Sequence, residues 1–229
     1  MRKRIIAFLY AHKWLHWLLP IFHCLIGRNS IRGRDFDNKI ESTTANLYHD
    51  KFWFRKGTGN SIFIDEDTDL HYSKITFNGN HNKVVIGKHG FINGLDLIIE
   101  GDHNTVLIGD NVFILDDTRI YVVDGVTFQM GKGCMLSDHI EIRTTDNHSI
   151  INRATGKRIN YEEDVILYDH VWVGTGVTIL KGVELANGCI VGAGSVVTGK
   201  HLTPNTIIVG NPAREVKDNV DWLMERIRS

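Results

Sequence analysis

From Val173 onward an aliphatic residue returns at every sixth position. The sixes read Val173-Gly174-Thr175-Gly176-Val177-Thr178, then Ile179-Leu180-Lys181-Gly182-Val183-Glu184, then Leu185-Ala186-Asn187-Gly188-Cys189-Ile190, then Val191-Gly192-Ala193-Gly194-Ser195-Val196, and Val197 opens another. The first position is always Val, Ile or Leu, and the fourth is always glycine. A helix with about 3.6 residues per turn would carry such a spacing off one face within a step. Short strands separated by tight corners hold it, with the aliphatic residue inward at each side of a triangular coil. One coil cannot bury its own inner face, so coils must stack. Met130, Leu136 and Ile142 extend the inward register upstream.

A second, longer period lies further upstream. Asn60-Ser61-Ile62-Phe63-Ile64, Asn82-Lys83-Val84-Val85-Ile86 and Asn104-Thr105-Val106-Leu107-Ile108 recur every 22 residues. Three six-residue sides and a longer corner make one such coil, and its asparagines should form a ladder that satisfies corner backbone groups. The prism is therefore expected from residue 57 to 214, after an irregular lead-in over 28–56. Thr144 to Asp164 breaks the register with a polar loop, and long loops thrown out of a regular solenoid are usually functional. Beyond it, Val216, Val220, Leu223 and Ile227 recur at helical spacing. They predict a C-terminal helix over 215–229 that caps the open end.

Residues 1–27 differ from the rest. Arg2-Lys3-Arg4 precedes an apolar stretch with Trp14 and Trp17, and His12-Lys13, His16 and Pro20 interrupt it. That pattern argues against a signal peptide or a membrane span. Two readings stay open: a helix packed on the prism or on a partner subunit, and an interfacial helix making peripheral membrane contact through residues 1–26.

Charge narrows the picture. With 26 Lys and Arg against 27 Asp and Glu, no nucleic-acid surface is expected. Cys24, Cys134 and Cys189 lack zinc spacing and cannot all pair, which fits a reducing cytoplasm. His81 and His103 recur on the same corner, but no third histidine holds that register and no metal is expected.

The repeat, its exit Pro204-Asn205-Thr206-Ile207-Ile208-Val209-Gly210-Asn211-Pro212-Ala213-Arg214, and the loop motif Asp146-Asn147-His148-Ser149-Ile150 resemble the hexapeptide-repeat acyltransferases. Trp172 follows His148 by 24 residues in His170-Val171-Trp172-Val173-Gly174, as in bacterial enzymes that O-acetylate capsular polysialic acid. The resemblance implies an all-β fold, a left-handed parallel β-helix with short N- and C-terminal helices, although the ordinary crossover rule favours the other hand. It also implies a homotrimer, an acetyl-CoA co-substrate and a saccharide acceptor on a bacterial surface polysaccharide or its precursor, inside the cytoplasm or at the inner face of its membrane.

His148 then becomes the expected catalytic base. A neutral imidazole with a pKa near 6.5 can take the proton of a sugar hydroxyl as it attacks a thioester. Trp172 offers an indole N–H or a packing wall, and Asp146 either orients His148 or holds the turn. Gly174, Gly192 and Ala193 are expected to let the pantetheine arm approach the corners. Lys200 and Arg214 are the candidate phosphate ligands, with His201 a weaker one. An N-acetyltransferase of an amino-sugar nucleotide and a non-catalytic β-helix scaffold are the alternatives. The former often carries an N-terminal βαβ domain that residues 1–56 do not suggest.

Overall fold

A computed structural model describes residues 28–33 and 37–228. It is a triangular prism of stacked coils with three parallel sheets as walls. Wall A runs from Ser30–Arg32 to Val196–Val197, wall B from Lys39–Ser42 to Lys200–His201, and wall C from Asn46–Tyr48 to Ile207–Gly210. Each coil supplies one strand to each wall in that order. On wall A the register partners Lys51, Lys74, Asp96, Arg119, Glu141, Thr178 and Val196 stand directly above one another. Coils therefore take 22 or 23 residues up to Glu141, 37 across the coil that carries the loop, and 18 in the next.

The inward residue of each short strand fills the prism. Ile86, Ile108, Leu136, Ile142, Leu167 and Val173 are at most 2% exposed, and Phe54 stacks on Phe77 with ring centroids 5.1 Å apart. Each such side chain stabilises the fold by about 1.5–3 kcal/mol relative to exposure. The asparagine ladder is present and one rung longer than the period indicated. Asn60, Asn82 and Asn104 each donate Nδ2 to the Oδ1 of the asparagine one coil below, at 2.9 Å, starting from Asn38. It ends where Gly125 and Val126 donate their N–H groups to Asn104 Oδ1.

Two boundary expectations are corrected. Residues 28–56 are not an irregular lead-in, because Ser30–Arg32, Lys39–Ser42 and Asn46–Tyr48 form a complete first coil and Lys51–Lys56 begins the second. Ser42 stands where later coils carry an isoleucine, which hid the repeat. The C-terminal helix over 215–229 is absent from the described residues. After Pro212 the chain returns as Ala213–Lys217, antiparallel to Ile207–Gly210, and 218–228 follow without regular structure. Asn219 takes the left-handed conformation at φ 53°, which a helix does not tolerate. Val216, Leu223 and Ile227 stay at least 60% exposed, and Trp222 docks instead. The N-terminal helix expected over 1–27, and Cys24 within it, lie outside the described residues.

Candidate active site

The loop 144–164 leaves wall A after Arg143 and rejoins wall B at Val165, so it stands on the A/B edge. Its core is a small hairpin, closed by the Ile151–Arg158 bridge and by Ile159 N–H donating to Ile150 O at 2.9 Å. Arg158 donates to Glu162 Oε1 at 2.6 Å and Thr145 Oγ1 to the same oxygen at 3.1 Å. Burial pushes the Glu162 carboxyl up, but Arg158 and these hydrogen bonds outweigh it and hold the group below its ordinary range.

Asp146 serves as an anchor within the loop. Its carboxylate lies 2.7 Å from Lys181 Nζ and accepts Asn160 Nδ2 at 2.9 Å. Lys181 first, then Asn160, hold its carboxyl below the usual value. Lys181 comes from the next coil and also donates to Tyr161 O at 2.8 Å, so it pins both ends of the loop. The Asp146 carboxylate makes no bond to the His148 ring.

His148 is fixed by its backbone alone. Its N–H donates to Asp146 O at 2.7 Å, and its carbonyl accepts Asn160 Nδ2 at 2.8 Å. The imidazole is exposed and makes no hydrogen bond among the described residues. A pinned main chain carrying an unengaged ring suits a base that meets its partner only in a complex. Lys181, Asn160 and the Arg158–Glu162 pair carry this arrangement, and neither spacing nor repeat singled them out for it.

Trp172 points outward from wall C, two residues before Gly174, with the whole of wall B between it and the loop edge. One chain therefore does not bring His148 and Trp172 together. The indole N–H of Trp172 is engaged by Ser137 Oγ at 3.3 Å. Its ring lies 5.9 Å from Trp222, which stacks on His170 at 4.4 Å and donates Nε1–H to His170 O at 2.8 Å.

The donor-side candidates divide between two edges. Gly174, Gly192 and Ala193 sit at the C/A corners, and Ala193 is exposed there. The space at the two glycines is taken by the next coil. A Cβ on Gly174 would meet Ala193 N and Val191 O at 2.9 Å, and one on Gly192 would meet Val209 Cγ1 at 2.6 Å. Coil stacking therefore already requires glycine at both positions. Arg214, paired in register with Val209 beside the same edge, is exposed, and among the described residues its guanidinium donates only to Ala213 O. Lys200 stands at the start of a wall B strand, by the A/B edge, with Nζ 2.5 Å from Glu184 Oε1. His201 is turned inward, its side chain 9% exposed and 3.7 Å from Glu215, so it does not reach a phosphate outside the prism. Cys134 is fully buried and its thiol is pushed up to about 12, chiefly by burial; burial also raises Cys189. Neither thiol is suited to carry an acyl group.

Comparison with known proteins agrees with this fold. Residues 164–199 match the family described as bacterial transferase hexapeptide (six repeats). A polysialic acid O-acetyltransferase of Neisseria meningitidis is 33% identical over 197 residues, which span 86% of this chain and 91% of that protein. The crystal structure of the polySia-specific acetyltransferase NeuO superposes with a TM-score of 0.76 at 29% identity, covering 86% of this chain and 83% of that one. That of the polysialic acid O-acetyltransferase OatWY gives 0.64 at 32%, covering 78% and 93%. The prism, the loop-borne histidine and a likeness that runs through nearly all of both sequences place this chain in the hexapeptide-repeat O-acetyltransferases, enzymes built on the left-handed parallel β-helix.

Proposed function

We propose that this enzyme transfers an acetyl group from acetyl-CoA to a hydroxyl of an acidic capsular polysaccharide built of sialic acid, in the cytoplasm, as a homotrimer with its sites between subunits. The observation that carries the reading is the unengaged His148 ring on a pinned loop, in a chain so similar to a polysialic acid O-acetyltransferase. His148 takes the proton of the acceptor hydroxyl as its oxygen attacks the thioester carbonyl. The C–S bond then breaks, and the imidazolium returns the proton to the departing thiolate. With both described cysteines inert, the transfer is direct, in a ternary complex.

Two apolar stripes support the assembly. On wall C the outward residues Phe91, Phe113, Met135, Trp172, Ile190 and Ile207 stand one above another. On wall B the row is Phe63, Val85, Leu107, Gln129 and Ile166. Both flank the B/C edge, the wall B row broken at Gln129, and partly exposed apolar surface of this kind marks an interface. Setting the B/C edges about a threefold axis lays wall B of one subunit against wall C of the next, a closed head-to-tail ring. The A/B edge with His148 and Lys200 then faces the neighbour's C/A edge with Ala193 and Arg214. The exposed loop residues Ile150, Ile159 and Tyr161 gain a surface to cover. Trp172 lines the resulting groove on the acetyl-CoA side.

The test is thiol release from acetyl-CoA with polysialic acid and with neutral polysaccharides as acceptors. Wild type is expected to respond to the acidic polymer, with His148→Ala lowering kcat and kcat/KM together by about 10²–10⁴-fold. No thiol release with any acceptor, together with no acetyl-CoA binding, would identify a scaffold. A His148→Ala enzyme retaining a tenth of the activity would remove that residue from the chemistry.

A further inference from the structure

On the outer face of wall A, far from the loop, cations gather round one indole. Arg32, Arg55 and Lys74 place their charged groups 5.3, 5.7 and 5.6 Å from the centre of the Trp53 ring. Lys74 is paired with Asp96 at 2.9 Å. Arg32 and Arg55 are exposed and have no carboxylate partner among the described residues. Higher on the same wall the cations face carboxylates, Lys74 and Arg119 sharing Asp96 and Arg143 lying beside Glu141. The cations of this wall that face none among the described residues, Arg32 and Arg55 among them, gather in the first two coils.

Two polar atoms on the same wall have no partner among the described residues. Trp53 Nε1 and Thr76 Oγ1 are buried without a hydrogen bond, and the two residues are register neighbours on adjacent strands. Thr76 is 4% exposed. A buried unpaired donor costs about 1–3 kcal/mol, so such groups call for an explanation. Arginine, lysine and indole N–H are donors only. Apart from the Thr76 hydroxyl, which can also donate, and Asp96, which is held by Lys74, the cluster consists of donors and is complementary to an anion that only accepts.

We infer that Arg32, Arg55, Trp53 and Thr76 form a carboxylate-binding subsite for the acidic saccharide polymer, distant from the acetylated unit. The inference rests on the proposed acidic acceptor and deepens it. The outward row Trp53, Thr76, Ile98, Tyr121 and Arg143 runs from the subsite to the last residue before the loop. Four strand spacings separate Trp53 from Arg143, about 19 Å along the wall. A polymer with a charged group on every unit can span that distance, holding one unit at Trp53 while another meets His148. A lipid surface fits less well. In the proposed trimer each wall A faces outward in its own direction, so one flat bilayer meets a single subsite at a time.

Direct binding tests this without requiring turnover. The full chain is titrated with a sialic acid oligomer, with a neutral oligosaccharide and with phosphatidylserine–phosphatidylcholine vesicles, at low and moderate salt. The variants are Arg32→Ala/Arg55→Ala and, as a cation outside the subsite on the same wall, Arg119→Ala. The oligomer is expected to bind wild type and Arg119→Ala alike, more weakly as salt rises, and the double variant at least about tenfold more weakly. Equal binding by the double variant, equal weakening by Arg119→Ala, no oligomer binding by wild type, or vesicle binding that the double variant loses would each overturn the subsite. If the oligomer binds as expected but receives no acetyl group, the subsite stands and the proposed reaction fails.

Discussion

Lys200 lies 2.5 Å from Glu184 Oε1, and that carboxylate raises its pKa. Among the described residues Arg214 has no acidic partner, only the Ala213 carbonyl. A cation already matched by a carboxylate gains less from a phosphate than one whose charge is open. Arg214→Ala is therefore expected to raise the KM for acetyl-CoA by about tenfold with kcat little changed, and Lys200→Ala to raise it less. Initial rates with acetyl-CoA and with its 3′-dephospho analogue decide this, and a Lys200 effect larger than that of Arg214 would reverse the ranking. The sequence showed which residues bear charge or a titratable ring, but not which are already engaged. His148 was legible because a polar loop interrupts a strict period. Lys181, which pins that loop, occupies an ordinary polar position in a repeat, and its partners lie 20 and 35 residues back along the chain.

Among the elements, legibility followed the strictness of the packing rule. The fourth-position hexapeptide glycines could be read because Gly176, Gly182, Gly188 and Gly194 turn each corner at φ 69–73°, a conformation that favours glycine. The asparagine ladder was legible because each rung bonds the one before it. The first coil was harder to see, since its corners use different groups. There the fully buried Asp50 accepts the N–H groups of Tyr48 and Ser73 at 2.8 and 2.9 Å. Burial pushes its carboxyl up from 3.8 to about 8, against the pull of those two donors. A carboxyl raised on folding binds its proton more tightly in the fold than in the unfolded chain. The stability it contributes is complete below about pH 4 and is lost as pH rises through 8. Urea unfolding of wild type and Asp50→Asn between pH 4 and 9 should thus show wild type losing stability relative to the variant as pH rises. A difference that stays constant over that range would show that Asp50 does not titrate there.

At the scale of the whole molecule, the site residues separate by edge. His148, Asp146 and Lys200 belong to the A/B edge, and Gly192, Ala193 and Arg214 to the C/A edge. No rearrangement of corner residues joins them within one prism, because wall A lies between the edges on one side and walls B and C on the other. In the proposed trimer the apolar stripes beside the B/C edge bring them together between copies, with the base from one subunit and the donor groove from the next. Mixed trimers distinguish this from a site within one chain. His148→Ala removes the base, and Ala193→Trp fills the donor groove at an exposed corner, so each homotrimer is expected to be nearly inactive. When the two variants are unfolded together at equal amounts and refolded, about a quarter of the interfaces should pair an intact His148 with an intact Ala193 corner. Thiol release should then recover to about a quarter of the wild-type rate. If base and groove came from the same chain, every site would keep one lesion, and the mixture would show no more activity than the average of the two homotrimers.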